Sequence, residues 1–307
     1  MRRRAVSASP LTILWRGPLS GCNFDCGYCP FAKRKDSRAV LARDAKALNR
    51  FVEWVLARDG PTSVLFTPWG EALIRKHYRQ ALIRLSHAPH VDRVAIQTNL
   101  SGPVEWLNAC APAKIGIWAT WHPDQIPMAR FLARIARLDA LGIAYSVGAV
   151  GVRAHVEQIE ALRAALPTHA YLWINAEESL QGRYSPAEIE RWAAIDPWFE
   201  LNNRAYVSLG RACVTGQGVI SVNGEGDARR CHFVDAQIGN IYEPGFEARL
   251  APSPCPLSQC NCHIGYSHLD DLALPGLFGA GFLERRAHDP ERAAALLAMA
   301  RFDSGAL

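Results

Sequence analysis

Short apolar runs alternate with amphipathic segments along the first two-thirds of the chain. The apolar runs are nearly continuous and rich in β-branched and aromatic residues, which is typical of strands buried on both faces. Amphipathic segments at 44–60, 127–142 and 155–167 predict helices, and the first two end at Gly60 and Gly142, which are common stop signals. The predicted strands are 11–16, 62–67, 92–98, 114–121, 144–151 and 169–175.

Repeated strand–helix units predict a parallel sheet with right-handed crossovers. Six units are three-quarters of an eight-fold barrel. We therefore expect an α/β fold based on a partial (β/α)6 TIM-like barrel, with a flat doubly wound sheet as the alternative. Periodicity alone does not separate the two.

The pattern changes after about residue 204. Residues 218–233 predict a hairpin around Asn223 and Gly224. Residues 243–262 are rich in proline, cysteine and polar residues, so we expect something other than a hydrophobic core to fix their shape. The expected divisions are a tail at 1–10, the barrel at 11–204, a small cysteine-rich α+β domain at 205–270, and a loop and helix at 271–307.

The composition is that of an ordinary globular protein, with 49% hydrophobic and 21% charged residues among 307. No apolar run approaches the ~20 residues of a membrane span. Near the start, the apolar core at residues 11–14 is too short for a secretion signal. These features predict a cytoplasmic protein without a membrane partner.

The formal net charge is +5, and short basic clusters lie at residues 2–4 and 33–35. Such clusters are usually solvated charges, although they can also steer an anionic substrate, a tRNA or an acidic electron-transfer protein. No basic helix interleaved with aromatic residues occurs, so nucleic acid is an unlikely partner.

Nine cysteines in a chain without an export signal indicate metal binding or catalysis rather than disulfides. One, Cys110, is expected to be a buried apolar thiol. The others form two groups: Cys22, Cys26 and Cys29 after the first strand, and Cys213, Cys231, Cys255, Cys260 and Cys262 near the carboxyl end.

The first group lies in the stretch GCNFDCGYCP, with C-x3-C-x2-C spacing. A structural zinc site usually has four protein ligands, whereas three thiolates can bind three irons of a [4Fe–4S] cluster. Zinc and a redox thiol pair remain alternatives. With Tyr28 before the last cysteine, the motif resembles that of the radical S-adenosylmethionine (radical SAM) enzymes. The resemblance implies that the fourth iron binds SAM, which is cleaved to a 5′-deoxyadenosyl radical that abstracts hydrogen from a substrate.

Other strand ends carry elements similar to those of the same superfamily. Gly70-Glu71 in FTPWGEA resembles its Gly-Gly-Glu element, with Trp69 in place of the first glycine. A carboxylate there suits the SAM ammonium group, although Glu71 could instead cap the next helix. Thr98-Asn99 in QTNLSG resembles Thr-Asn-Gly. The SAM contacts that the resemblance implies are Tyr28, Gly70, Glu71, Thr98, Asn99, Ser146, Gly148 and Asn175.

Several aromatic residues also fall near strand ends. Trp118, Trp121 and Trp173 are expected in the core, and His122 is either a loop hydrogen-bonder or a substrate contact. No side chain stands out as an acid or base. The resemblance does not require one, since in such enzymes the cofactor carries out the difficult chemical step.

The second group has the pattern Cys213-x12-Gly226-x4-Cys231, which resembles the opening half of SPASM and Twitch domains. The resemblance implies one auxiliary [4Fe–4S] cluster, because five thiols cannot ligate two cubanes. Which of Cys255, Cys260 and Cys262 is left over stays open. The alternative is zinc on Cys213, Cys231 and two of the last three cysteines, or on His232 or His263.

The leading functional hypothesis is therefore a radical SAM enzyme that oxidises or rearranges a small metabolite or a peptide. A flavodoxin- or ferredoxin-type protein is the expected electron donor. The alternatives are a tRNA-modifying member of the superfamily and a non-catalytic iron–sulfur protein.

Overall fold

The computed structural model describes residues 9–31 and 35–287. The basic residues at 2–4, the first two of the cluster at 33–35, and the predicted carboxyl-terminal helix lie outside the described residues. Within those residues, no helix has the length and apolar character needed to cross a lipid bilayer.

Strands and helices alternate through residue 202, except between residues 98 and 115, where the connection contains only two 3-10 helices. Short strands and two short α-helices follow. The strands are β1 (Leu11–Arg16), β2 (Thr62–Phe66), β3 (Val91–Thr98), β4 (Ile115–Thr120), β5 (Ala144–Val150), β6 (Leu172–Asn175), β7 (Tyr206–Val207), β8 (Val219–Asn223), β9 (Asp227–Arg229), β10 (Gln237–Asn240) and β11 (Gln259–Cys260). The helices are α1 (Arg38–Leu56), α2 (Lys76–Ser86), α3 (Met128–Ala140), α4 (Val156–Ala165), α5 (Pro186–Ile195), α6 (Phe199–Asn202), α7 (His263–Tyr266) and α8 (Leu274–Phe278).

The order of the strands distinguishes the two predicted architectures. Strands β1 to β6 are neighbours in chain order and pair in parallel throughout. A doubly wound sheet reverses its strand order at a switch point. The partial barrel is therefore confirmed, and the doubly wound alternative is wrong.

The predicted hairpin near the carboxyl end is formed by β8 and β9, and it joins the same sheet. Strand β8 pairs in parallel with β1, from Thr12 opposite Val219 to Arg16 opposite Asn223. Strands β9 and β10 extend this edge in antiparallel fashion, and β7 pairs separately with β11. As a result β1 has a neighbour on both sides, and the domain boundaries drawn from the sequence stay a prediction.

Helix α1 begins earlier than the sequence pattern predicts. Its amino-terminal cap is Ser37, whose Oγ accepts a hydrogen bond from the Val40 amide. Asp44, the predicted first residue, instead lies inside the helix and is fully buried. Its carboxylate lies 2.7 Å from Nε2 of His77 and accepts a hydrogen bond of 3.2 Å from Tyr78 Oη. Asp44, which suggests a helix start in the sequence, thus links α1 to α2 through buried polar contacts.

The inner face of the barrel is covered by a segment from the carboxyl-terminal part of the chain. Ile264 and Leu283 pack against inward-facing strand residues, Trp118 and Trp173 among them. Near the amino-terminal ends of the strands, the fully buried Glu284 pairs with Arg93 on β3. The segment therefore occupies the barrel interior.

His268 is buried in this interior and makes the protein sensitive to acid. Burial lowers its pKa from 6.5 to about 4. Between these values the unfolded chain binds a proton that the folded chain excludes, so stability is lost as the pH falls.

We expect denaturant titrations of the iron-free protein to show a loss of up to ~3 kcal/mol from His268 by pH 4. In His268→Gln, the free energy of unfolding should depend less on pH. An unchanged pH dependence in His268→Gln would contradict this prediction.

Candidate functional site

The first cysteine group lies in the loop between β1 and α1, at the carboxyl end of β1. Cys22, Cys26 and Cys29 form no disulfide within the described residues. The Cys29 amide donates to the Cys26 carbonyl at 3.2 Å, and the Phe24 amide lies 3.4 Å from Cys22 Sγ. The loop thus winds tightly around its three sulfurs.

Asp36 holds the start of this loop. Its carboxylate accepts hydrogen bonds from the Gly21 amide at 2.6 Å and from the Ser20 hydroxyl at 2.8 Å. Asp36 directly precedes the cap of α1, so the helix terminus anchors the residues that lead into Cys22. This contact could not be predicted from the sequence, because an Asp-Ser pair before a helix indicates only a cap.

Gly70 and Glu71, in the segment that follows β2, contact the backbone of the cysteine loop at Gly21. The Glu71 amide donates to the Gly21 carbonyl at 3.1 Å. A Cβ atom at Gly70 would lie 2.2 Å from that carbonyl oxygen, closer than non-bonded atoms approach. Glycine at this position is therefore required by the backbone of the cysteine loop.

The Glu71 carboxylate ties two strand ends together. It is buried and accepts hydrogen bonds from the Leu73 amide at 2.8 Å, the Thr98 hydroxyl at 2.8 Å and the Asn99 amide at 2.6 Å. Burial raises the pKa of Glu71, and the three donors oppose that shift. Helix α2 has Arg75 as its cap, so Glu71 does not cap it.

Asn99 reaches from β3 to the cysteine loop. Its side-chain nitrogen lies 3.8 Å from Cys22 Sγ and donates to Asn23 Oδ1 at 3.1 Å. The next residue, Leu100, adopts φ of +50°, the left-handed region that glycine prefers. Leu100 thus adopts a glycine-like conformation where the family motif has glycine.

His122, beyond the end of β4, closes the opposite side of the loop. Its Nδ1 lies 2.8 Å from Tyr28 Oη and 3.4 Å from Cys26 Sγ. Burial lowers the pKa of His122 to about 4, and the nearby His155 adds to the shift. The imidazole is therefore neutral at pH 7 and acts as a hydrogen-bonding partner of the loop.

The remaining predicted SAM contacts lie further round the barrel. Ser146 is fully buried; its hydroxyl donates to the Glu284 carbonyl and accepts from Trp173 Nε1 at 3.1 Å. A Cβ at Gly148 would overlap the Trp173 ring, and Asn175 accepts a hydrogen bond of 3.0 Å from Arg285. Tyr28, Gly70, Glu71, Thr98 and Asn99 thus gather at the cysteine loop, whereas Ser146, Gly148 and Asn175 contact other parts of the chain. Their roles towards SAM stay predictions.

The core predictions are confirmed. Trp118, Trp121 and Trp173 are buried, and Cys110 is a buried thiol whose pKa is raised to about 11 by burial.

The second cysteine group also gathers in space. Burial raises the pKa of Cys231 to about 11, and repulsion from Cys213, Cys255 and Cys262 adds to the shift. The pKa of Cys260 rises to about 12 for the same reasons. Across residues 9–31 and 35–287, no three His, Cys, Asp or Glu side chains converge as a single metal ion requires. Cubane thiolates differ in this respect, because each binds a separate iron.

Residues 18–119 match the model of the Radical SAM superfamily. Residues 18–119 therefore match a radical SAM domain, and the match confirms the resemblance inferred from the cysteine motif. No curated protein matches the sequence.

Solved structures with the same fold include native anSMEcpe with bound AdoMet, at 18% identity and a TM-score of 0.53, covering 78% of this chain and 83% of that one. Native anSMEcpe with bound AdoMet and Kp18Cys peptide aligns at 14% identity and a TM-score of 0.53, covering 94% of this chain and 99% of that one. At these identities the likeness concerns the fold alone.

Proposed function

We propose that this protein is a radical SAM enzyme whose SAM-binding [4Fe–4S] cluster is held by Cys22, Cys26 and Cys29. The observation that carries the proposal is the fixed geometry of one loop that holds three cysteines outside any disulfide among the described residues. Asp36, Gly70 and His122 each contact that loop from a different element. Such convergence is expected where a loop must keep its sulfurs in place for a metal group.

The donor set fits this cofactor. Three thiolates would occupy three irons, and the stretch supplies no fourth cysteine, so one iron stays available to SAM. When bound, the cluster and SAM would supply the chemistry that removes a hydrogen atom from the substrate.

The protein's own contribution is positioning and exclusion of water. Glu71 fixes the Asn99 backbone, and Asn99 in turn fixes Asn23 beside Cys22. The edge-to-face pair of Trp118 and Trp173, with ring centroids 5.6 Å apart, packs against the carboxyl-terminal segment inside the barrel. These contacts support a rigid, water-excluding scaffold for the cysteine loop.

We further propose that the carboxyl-terminal cysteines bind one auxiliary [4Fe–4S] cluster and that the net reaction is an oxidation or a rearrangement. The substrate is a small metabolite or a peptide; the peptide bound to anSMEcpe makes the second class chemically reasonable. The electron donor is a flavodoxin- or ferredoxin-type protein, and the enzyme is cytoplasmic.

The test is iron per chain after anaerobic reconstitution, compared between the wild type and the triple variant Cys22→Ala/Cys26→Ala/Cys29→Ala. We expect about eight irons to fall to about four. Wild-type protein should also form 5′-deoxyadenosine from SAM and a chemical reductant, and the triple variant should not. About four irons falling to none would leave no auxiliary cluster, and wild-type protein without SAM cleavage would overturn the enzymatic proposal.

A further inference from the structure

His122 places a ring nitrogen beside one sulfur of the cysteine loop. Its Nδ1 lies 3.4 Å from Cys26 Sγ, a distance that suits a hydrogen bond to sulfur. On the other side of the loop, Asn99 Nδ2 approaches Cys22 Sγ less closely, at 3.8 Å, and donates to Asn23 Oδ1 at 3.1 Å. The imidazole therefore makes the closer of these two contacts with a sulfur.

The ring of His122 is held in this position from several directions. The Tyr28 ring lies nearly parallel to it, with centroids 5.9 Å apart, and the Phe24 ring meets it edge-on at 5.8 Å. The His122 carbonyl accepts a hydrogen bond of 3.0 Å from the Gln125 amide, which closes a turn after the end of β4. In the same turn, Gln125 Oε1 accepts from the Asp25 amide at 2.9 Å. The imidazole is thus fixed to the loop through its ring and through its own turn.

The direction of the contact with Cys26 follows from the chemistry of an iron-bound cysteine. Such a cysteine is a thiolate, which carries no proton and can only accept a hydrogen bond. In an imidazole, the hydrogen-bond partners decide which ring nitrogen carries the proton. The negative sulfur favours the form with the proton on Nδ1, and Tyr28 Oη, 2.8 Å from the same nitrogen, can also accept from it. The contact is therefore an Nδ1–H···Sγ hydrogen bond when iron is bound.

A hydrogen bond to a cluster sulfur changes how readily the cluster takes up an electron. Hydrogen bonds to the sulfurs are among the features that set the reduction potential of an iron–sulfur cluster. Reduction by one electron adds a negative charge that is shared with the sulfurs, so a donor stabilises the reduced form more than the oxidised form. A donor at Cys26 therefore raises the potential.

We propose that His122 raises the reduction potential of the cluster held by the cysteine loop, through its hydrogen bond to Cys26. The inference rests on the proposed function, because it requires a cluster in this loop. The cluster gains one electron from the flavodoxin- or ferredoxin-type donor, and no bond to His122 forms or breaks. His122 acts through Cys26, so it is a positioning residue and not a catalytic one.

The test is the midpoint potential of the anaerobically reconstituted full chain without SAM. It is measured by titration with titanium(III) citrate, followed by electron paramagnetic resonance (EPR). The signal of the loop cluster is the one that is absent from Cys22→Ala/Cys26→Ala/Cys29→Ala. His122→Phe keeps an aromatic ring and removes the donor. At a given solution potential, we expect its ratio of reduced to oxidised cluster to fall about tenfold, a shift of about 59 mV for one electron.

Two further variants separate loss of the donor from loss of packing. In His122→Asn, the amide nitrogen lies as many bonds from the backbone as Nδ1 does and can only donate, so most of the potential should be regained. His169→Phe is the matched control, because His169 lies before β6, at the opposite end of the barrel, and its side chain is 63% exposed and pairs with Asp139. Its midpoint should equal that of the wild type.

A second measurement needs no substitution at His122. In wild-type protein with histidine labelled by nitrogen-15, pulsed EPR of the reduced loop cluster should show coupling to a histidine nitrogen. The triple cysteine variant should lack this coupling. The measurement decides the matter if the substitutions at His122 reduce the iron content.

Three results would overturn the inference: an unchanged midpoint in His122→Phe at full iron content, an equal shift in His122→Phe and His122→Asn, or no histidine coupling in the labelled wild type. A triple cysteine variant that loses no iron would reject both the proposed function and the inference. A loop cluster whose midpoint does not depend on His122 would reject only the inference. The expected shift without 5′-deoxyadenosine formation by the wild type would reject the enzymatic proposal and leave the inference standing.

Discussion

Gly70→Ala is expected to remove the iron bound by the cysteine loop, about four atoms per chain, and with it SAM cleavage. The added Cβ would lie 2.2 Å from the Gly21 carbonyl oxygen and 2.6 Å from its carbon. Both are backbone atoms of Gly21, whose amide donates to Asp36, so neither can move without shifting Cys22. Iron and sulfide analysis after reconstitution measures the loss.

Gly27→Ala is the matched control, because Gly27 lies between Cys26 and Tyr28 in the same loop. A Cβ there would have no atom within 4 Å among the described residues. This variant should keep its full iron content. Equal iron in Gly70→Ala and the wild type would show that the backbone contact does not position the loop.

Glu71→Gln is expected to lower the free energy of unfolding by about 3 kcal/mol and to weaken iron retention. Three donors converge on the carboxylate, and a buried donor left unsatisfied costs about 1–3 kcal/mol. The amide that replaces one oxygen adds a further donor facing those already present. Urea titration of the iron-free protein measures the stability, and the rate of iron loss to a chelator measures the retention.

The surface variant Glu53→Gln is the control for loss of one negative charge. Glu53 pairs with Arg84, and the Glu53 side chain is 66% exposed, so its loss should change stability by less than about 1 kcal/mol. If Glu71→Gln is no more destabilised than Glu53→Gln, the buried carboxylate does not organise the two strand ends.

The barrel strands could be predicted closely because each is a short apolar run between polar segments. The predicted 11–16 coincides with β1, and 92–98 differs from β3 by one residue. Helix starts are harder to predict, since the pattern places the first residue of α1 at Asp44, whereas Ser37 provides the cap. The pairing of β8 with β1 joins segments about two hundred residues apart, and local pattern carries no information on such pairs.

The cysteine loop could be predicted as a candidate site because its motif is compact in sequence. The residues that support the loop could not be predicted, because they are distant in sequence. Tyr28 and His122, for example, are in contact although 94 positions separate them. The hydrogen bond between Arg285 and Asn175 could not be predicted for a similar reason. The segment that contains Arg285 has no regular pattern, and only the fold places the two residues in contact. Residues that act together through such distant contacts require a structure.

The pairing of β8 with β1 also bears on how the protein could have evolved and how it is made. A chain that ended at residue 204 would leave one side of β1 unpaired, and a bare edge of this kind promotes aggregation. The barrel is thus not an independent folding unit to which the carboxyl-terminal part was added, because β8 completes the pairing of β1. During synthesis, the strand that leads into the first three cysteines gains its second neighbour only after residue 223 has left the ribosome.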